Sequence, residues 1–191
     1  MGTEESGEAL VCEKMTEEEF FLALKQGRTN FNKVIFTTDI RVTNHEFSED
    51  ISFREAIFEK SANFICSQFH EFTHFDGAVF KSDASFHNTE FSGLVTFVEV
   101  TFRGVADFES TLFKGHVDLC DVMGNASWIF VYAWFRNSVT TSDPVLAQQL
   151  LLHKNGIFVS TSTARRMLGL SREDVQAMID KSSPLGPGMQ T

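Results

Sequence analysis

The sequence holds only three cysteines, Cys12, Cys66 and Cys120, an odd number with no CxxC spacing. No disulfide framework follows from them, and reduced thiols in a cytoplasmic setting are the economical expectation. Long apolar runs are missing too. The longest, Trp128 to Phe135, has eight residues, where a membrane helix needs roughly 20. No basic-then-apolar leader opens the chain, because residues 1–23 hold seven Glu and one Lys. Positive charge is scarce: 16 Lys and Arg stand against 26 Asp and Glu, a net charge of −10. Residues 1–23 and 24–122 carry −6 each, and residues 123–191 carry +2. Nothing resembles the basic patch that tracks a nucleic-acid backbone, so direct nucleic-acid binding is not expected. A membrane partner is not expected either.

What the chain has in excess is phenylalanine, 21 in 191 residues. From Phe31 to Leu119 a large apolar residue returns at alternating spacings of five and six, and fifteen of these seventeen positions are Phe. Neither a 3.6 nor a 2.0 period produces this, and a fixed period over such a length marks a solenoid. Two residues before each large one sits a small or β-branched residue: Ala56 before Phe58, Ala62 before Phe64, Ala78 before Phe80, Ala106 before Phe108. Grouping by 22 residues gives chemically uniform columns, Val34/Ala56/Ala78/Val100, His45/Ser67/Thr89/Thr111 and Ile40/Ala62/Ala84/Ala106. An 11-residue coil would mix the first two, so one coil is expected to have 22 residues and four sides.

Small–polar–Phe–x–x in tandem, as in Ala62-Asn63-Phe64 and Ala106-Asp107-Phe108, resembles the pentapeptide-repeat proteins. The match is to the Phe-rich variety with interspersed six-residue units. The resemblance implies an all-β solenoid: a right-handed, four-sided β-helix with the Phe and small side chains inside, here of about four coils. It implies no enzyme activity, and neither a cofactor nor a metal is expected. The quinolone-resistance members of the family bind DNA gyrase as DNA mimics, which brings gyrase in as a candidate partner.

The expected boundaries are a disordered N-terminus over 1–15, a capping helix over 16–27, the solenoid over 28–123 and a helical region over 124–191. Thr16-Glu17-Glu18-Glu19 is a capping box, and the helix it opens offers Phe20, Phe21 and Leu24 to cover the first coil. Trp128 to Phe135 has the bulk to close the other end. Ser142-Asp143-Pro144 predicts a further helix start, Ile157-Phe158-Val159 reads as a short strand or link, and residues 163–175 resemble a helix-turn-helix unit.

His70-Glu71-Phe72-Thr73-His74 matches HExxH, a zinc-protease pattern that works when a helix puts both imidazoles on one metal. Here it lies between Phe69 and Phe75 of the repeat, so it should round a corner. The solenoid glycines, Gly77, Gly93, Gly104 and Gly115, fall where a tight corner wants φ freedom.

Outward charge sorts by side. The side flanking Phe47/Phe69/Phe91/Phe113 carries Glu46, Glu49, Asp50, Glu71 and Glu90 against Lys114, a net of −4, and the next side nets −3. B-DNA of the same roughly 20 Å length carries about twelve charges, so the mimicry is thin. The side flanking Phe36/Phe58/Phe80/Phe102 nets zero, yet its outward position before Phe is Ile35, Ile57, Val79 and Thr101. Aliphatics in line on an exposed ribbon predict a covering, by the C-terminal helices or by a second subunit. The expected function is a non-enzymatic protein-interaction module, homodimeric through this stripe, with a partner whose identity is not written in the residues. A gyrase-binding DNA mimic using the acidic flank is the alternative, and a DNA-binding regulator using the tail is the third reading.

Overall fold

A computed structural model of the chain describes residues 12–123, 128–129, 133–136, 138–142 and 158–159. Two-residue strands recur every 22 residues and stack in parallel into four sheets. The isoleucine face stacks Lys14–Met15, Ile35–Phe36, Ile57–Phe58, Val79–Phe80 and Thr101–Phe102. The alanine face stacks Ile40–Arg41, Ala62–Asn63, Ala84–Ser85, Ala106–Asp107 and Trp128–Ile129. The glutamate face stacks Glu46–Phe47, Gln68–Phe69, Glu90–Phe91, Leu112–Phe113 and Trp134–Phe135. The valine face stacks Ile51–Ser52, Thr73–His74, Val95–Thr96, Val117–Leu119, Ser138–Thr141 and Phe158–Val159. The result is a four-sided parallel β-solenoid.

Its core is ordered aromatic packing. Phe36, Phe58, Phe80 and Phe102 stack face to face at 4.7, 4.6 and 4.8 Å between centroids. Phe47, Phe69, Phe91, Phe113 and Phe135 do the same on the glutamate face at 4.5 to 5.3 Å. These spacings are close to the separation of neighbouring strands, so one Phe per rung per side keeps successive rings in contact. Columns on different sides meet edge-on, as Phe75 meets Phe86 at 5.5 Å and 77°, the geometry a ring quadrupole favours.

The alternation of five and six has a backbone cause. At each five-residue corner the third residue after the large one starts the next side, and the residue before it is left-handed. Lys33, Asn44, Glu55, Cys66, Asn88, Glu99, Ser110 and Asp121 have φ between 53° and 61°, and Gly77 joins them at 66°. Ala56 N donates to Phe53 O at 3.1 Å and Ala78 N to Phe75 O at 2.9 Å, as in a type II turn. Three of the six-residue corners are held by an aspartate. Asp39, Asp50 and Asp83 accept the amides of Ser61, Phe72 and Val105 one coil on. Asp83 and Asp107 are therefore structural acceptors, Asp107 taking the amide of Glu109 at 2.9 Å. Gly93, Gly104 and Gly115 have no positive φ; a Cβ on each would lie within 2.0 to 2.5 Å of the coil below. Close approach, not φ freedom, selects glycine there.

Helix Glu17–Lys25 opens with the expected capping box: Glu19 N donates to Thr16 Oγ1 and Thr16 N to Glu19 Oε2. Phe20 is fully buried, with Phe31 4.8 Å and Phe36 5.3 Å away, and Phe21 and Leu24 pack at its rim. The carboxylate of Glu17 accepts Arg41 N at 2.8 Å, covering the open edge of the alanine face. Two differences from the sequence reading stand out. Lys14–Met15 is a strand paired with Ile35–Phe36, although it falls in the segment expected to be disordered. Its Met15 is buried and adds a rung beneath the first Phe coil.

The ladders also continue past Val122, so there are about five coils. Trp128 pairs with Ala106, Trp134 with Leu112, and Val139 with Val117, all 22 residues apart. The end expected near residue 123 is where the large position falls on Gly124, not where the rungs stop, since Phe135 still stacks on Phe113. Phe158–Val159 is a strand, pairing with Ser138–Val139. The helix expected from Asp143 and the helix-turn-helix-like segment lie outside the described residues.

Buried hydroxyls supply one test of the register. Ser67, Thr89 and Thr111 donate to the carbonyls of Val42, Phe64 and Phe86. Thr73 is equally buried, between Ile51 and Val95, and its Oγ1 has no partner. Thr73→Val keeps the shape and removes the unpaired hydroxyl, so it should raise stability by about 1 kcal/mol. Thermal melting should show the increase, whereas Thr89→Val should melt lower.

Candidate interaction surface

The residues singled out from sequence fall on opposite sides of the solenoid, the acids on the glutamate face and the corner after it, the aliphatics on the isoleucine face. Glu46 and Glu90 share the outward column of the glutamate face, with Gln68 between them. Glu49 and Glu71 sit on the next corner, exposed. The structure does not make these four equivalent. Glu90 is half-buried, bound by Lys114 Nζ and by Ser92 Oγ at 2.8 Å. Burial alone would raise its carboxyl pKa, but those two hydrogen bonds outweigh it and hold the group below the usual range. Among the described residues, Glu46, Glu49 and Glu71 have no such cation. Asp50 is committed to the amide of Phe72.

The HExxH residues do round a corner. His70, Glu71 and Phe72 link strands Gln68–Phe69 and Thr73–His74, so no helix presents the two imidazoles together. His74 instead faces Thr96 Oγ1 at 3.1 Å. Burial, then the nearby Arg54, pushes its pKa down. Phe72 was not singled out as a contact residue, yet it is 50% exposed beside Glu71 and Asp50. The signal was present: it is the one Phe of residues 31–113 outside the five/six rhythm.

Ile35, Ile57 and Val79 align rung over rung on the isoleucine face. Each is half-buried, because its neighbours one coil above and below cover part of it. The column continues through Thr101 to Met123, which is 57% exposed. Adding 22 to Thr101 would have found it. Beside the stripe, Lys81 and Glu59 pair with each other at 3.2 Å, which keeps the face near neutral.

The family model for pentapeptide repeats (9 copies) matches residues 86–123. These coils are pentapeptide repeats. The matched span covers parts of the same ladders that run unbroken from residue 35 to residue 119, so the pentapeptide-repeat geometry extends beyond it. Solenoids of this kind are in general structural and interaction modules. No curated protein and no solved structure gives a significant match to the chain. Among the described residues no helix is long and apolar enough to cross a membrane.

Proposed function

We propose that this pentapeptide-repeat chain is a non-enzymatic interaction module that self-associates through its isoleucine face. The observation that carries the reading is the straight outward column Ile35–Ile57–Val79, prolonged by Thr101 to Met123. Repeat logic makes that position polar on other sides, as at Asn63, Ser85 and Ser52. A second copy suits it for two reasons. Rungs on two copies share one pitch, so a two-fold axis can set stripe against stripe. The face is also near neutral, whereas the glutamate and valine sides would repel their own copies. Each aliphatic side chain, if fully buried in the contact, contributes about 1.5–3 kcal/mol. Ile57→Lys should convert a dimer to a folded monomer by light scattering, with circular dichroism unchanged. A variant that scatters as wild type contradicts the assignment.

A second reading has its own observation, the exposed Phe72 among Glu49, Asp50 and Glu71. An aromatic in an acidic setting suits a basic protein segment, which an acidic field would steer toward it. The gyrase-type DNA mimic would use this flank. With Glu90 paired to Lys114, the flank offers four acids, well short of the duplex. Gyrase supercoiling assays with wild type and Glu71→Lys separate the two: an effect abolished by Glu71→Lys but kept by Ile57→Lys would favour the acidic flank.

A further inference from the structure

We infer that His87, Asp107 and Glu109 form a binding site for a divalent transition ion of the zinc class, on the corner between the alanine and glutamate faces. His87 and Glu109 are 22 residues apart and occupy the same corner position in successive coils, with Nδ1 and Oε2 3.8 Å apart. Asp107 lies on the adjoining strand, and one ligand atom from each of the three falls within 4.8 Å of the others. In a tetrahedral zinc site, ligand atoms about 2.0–2.1 Å from the ion lie about 3.3 Å from one another. Small side-chain rotations close that gap, because all three groups are half-buried and not packed in the core.

The site is oriented before any ion arrives. Asp107 Oδ1 accepts Glu109 N at 2.9 Å, and Oδ2 accepts Ser85 Oγ at 3.2 Å. Ser85 Oγ in turn accepts His87 N at 3.3 Å. Each carboxylate oxygen has two lone pairs, so these bonds leave one free for a metal and fix its direction. Among the described residues neither Asp107 nor Glu109 has a Lys or Arg ion-pair partner. Two carboxylates therefore face one another across a single imidazole, and a cation would relieve the repulsion. The donor set chooses the ion. One imidazole nitrogen beside two carboxylate oxygens suits zinc and its neighbours, whereas magnesium and calcium favour oxygen alone. Three protein ligands leave the fourth position to water or to a ligand side chain from a partner. The HExxH residues take no part, since His70 lies on a different corner and His74 on strand Thr73–His74.

The test is isothermal titration of the full chain, without an affinity tag and stripped by chelator, with zinc chloride. The expected result is one ion per chain, with affinity at least about tenfold weaker in His87→Ala and in Glu109→Gln and unchanged in His70→Ala. Zinc should also raise the melting temperature of wild type and not of His87→Ala, which guards against reading a folding defect as lost binding. Substituted cobalt should show visible d–d absorption in wild type alone. No zinc binding at high micromolar concentration, or binding unaltered in both variants, would overturn the site.

Discussion

Phe64→Asp is expected to abolish cooperative folding of the solenoid. Phe64 is fully buried, stacked on Phe86 at 5.3 Å and 7° and met edge-on by Phe53, Phe58 and Phe75. Truncating such a ring costs about 3–5 kcal/mol, and an unpaired carboxylate inside an aromatic stack adds several more. Domain stability as a whole is only about 5–15 kcal/mol. A solenoid has no distant core to absorb the loss, because each coil is held by its two neighbours. Lys60→Asp, on an exposed corner, should melt within a degree or two of wild type. Equal melting of the two variants would refute the inward assignment of the Phe columns.

Gly115→Ala should be the second most damaging change. A Cβ at Gly115 would lie 2.0 Å from the carbonyl oxygen of Gly93, and one at Gly93 would lie 2.5 Å from that of Glu71. Both obstacles are backbone in a rung that cannot move without breaking its ladder, so the cost is that of overpacking, about 1–3 kcal/mol or more. Gly77→Ala supplies the contrast. Gly77 has φ of +66°, but its Cβ would meet nothing closer than the flexible Glu55 side chain at 3.3 Å, with the Glu55 backbone at 3.8 Å. Glu55 and Glu99 hold the same turn in the same column with φ of 56° and 57°. A single side chain in that conformation costs about 1–2 kcal/mol, partly offset by the entropy glycine loses on folding. Thermal denaturation should rank Gly115→Ala well below Gly77→Ala. The reverse order would mean that φ freedom selects these glycines after all.

That contrast shows where sequence reading reaches and where it stops. The 22-residue coil was legible because every side puts Phe at one inward position, and the ladders pair Phe58 with Phe80 and Ala62 with Ala84 as that spacing requires. The capping helix was legible because Thr16 and Glu19 carry a local signature that needs no tertiary context. The last coil was not, because Trp128 stands opposite Ala106 and Trp134 opposite Leu112. The register persists there, with Phe135 stacked on Phe113, although the large position after Leu119 falls on Gly124 and Trp replaces the small residue at 128. Strand Lys14–Met15 was hidden for a related reason: its pairing with Ile35–Phe36 reaches across the intervening helix.

The interaction surface divides along the same line. Repeat position alone put Ile35, Ile57 and Val79 in one column, since periodicity specifies direction. It could not say which acids are free. Asp50 serves a backbone amide and Glu90 serves Lys114, and both partners lie about one coil away in sequence. The net of −4 already counts Lys114, so the pairing leaves the total unchanged and places the remaining charge on Glu46, Glu49, Asp50 and Glu71.

Sedimentation equilibrium of the full chain, from low to high micromolar, tests the central claim most directly when Ile57→Lys and Glu71→Lys are run beside wild type. The account predicts twice the chain mass for wild type and for Glu71→Lys, and the single-chain mass for Ile57→Lys. A wild type that stays monomeric at the highest concentration, or a dimer that survives Ile57→Lys and dissociates with Glu71→Lys, would contradict it.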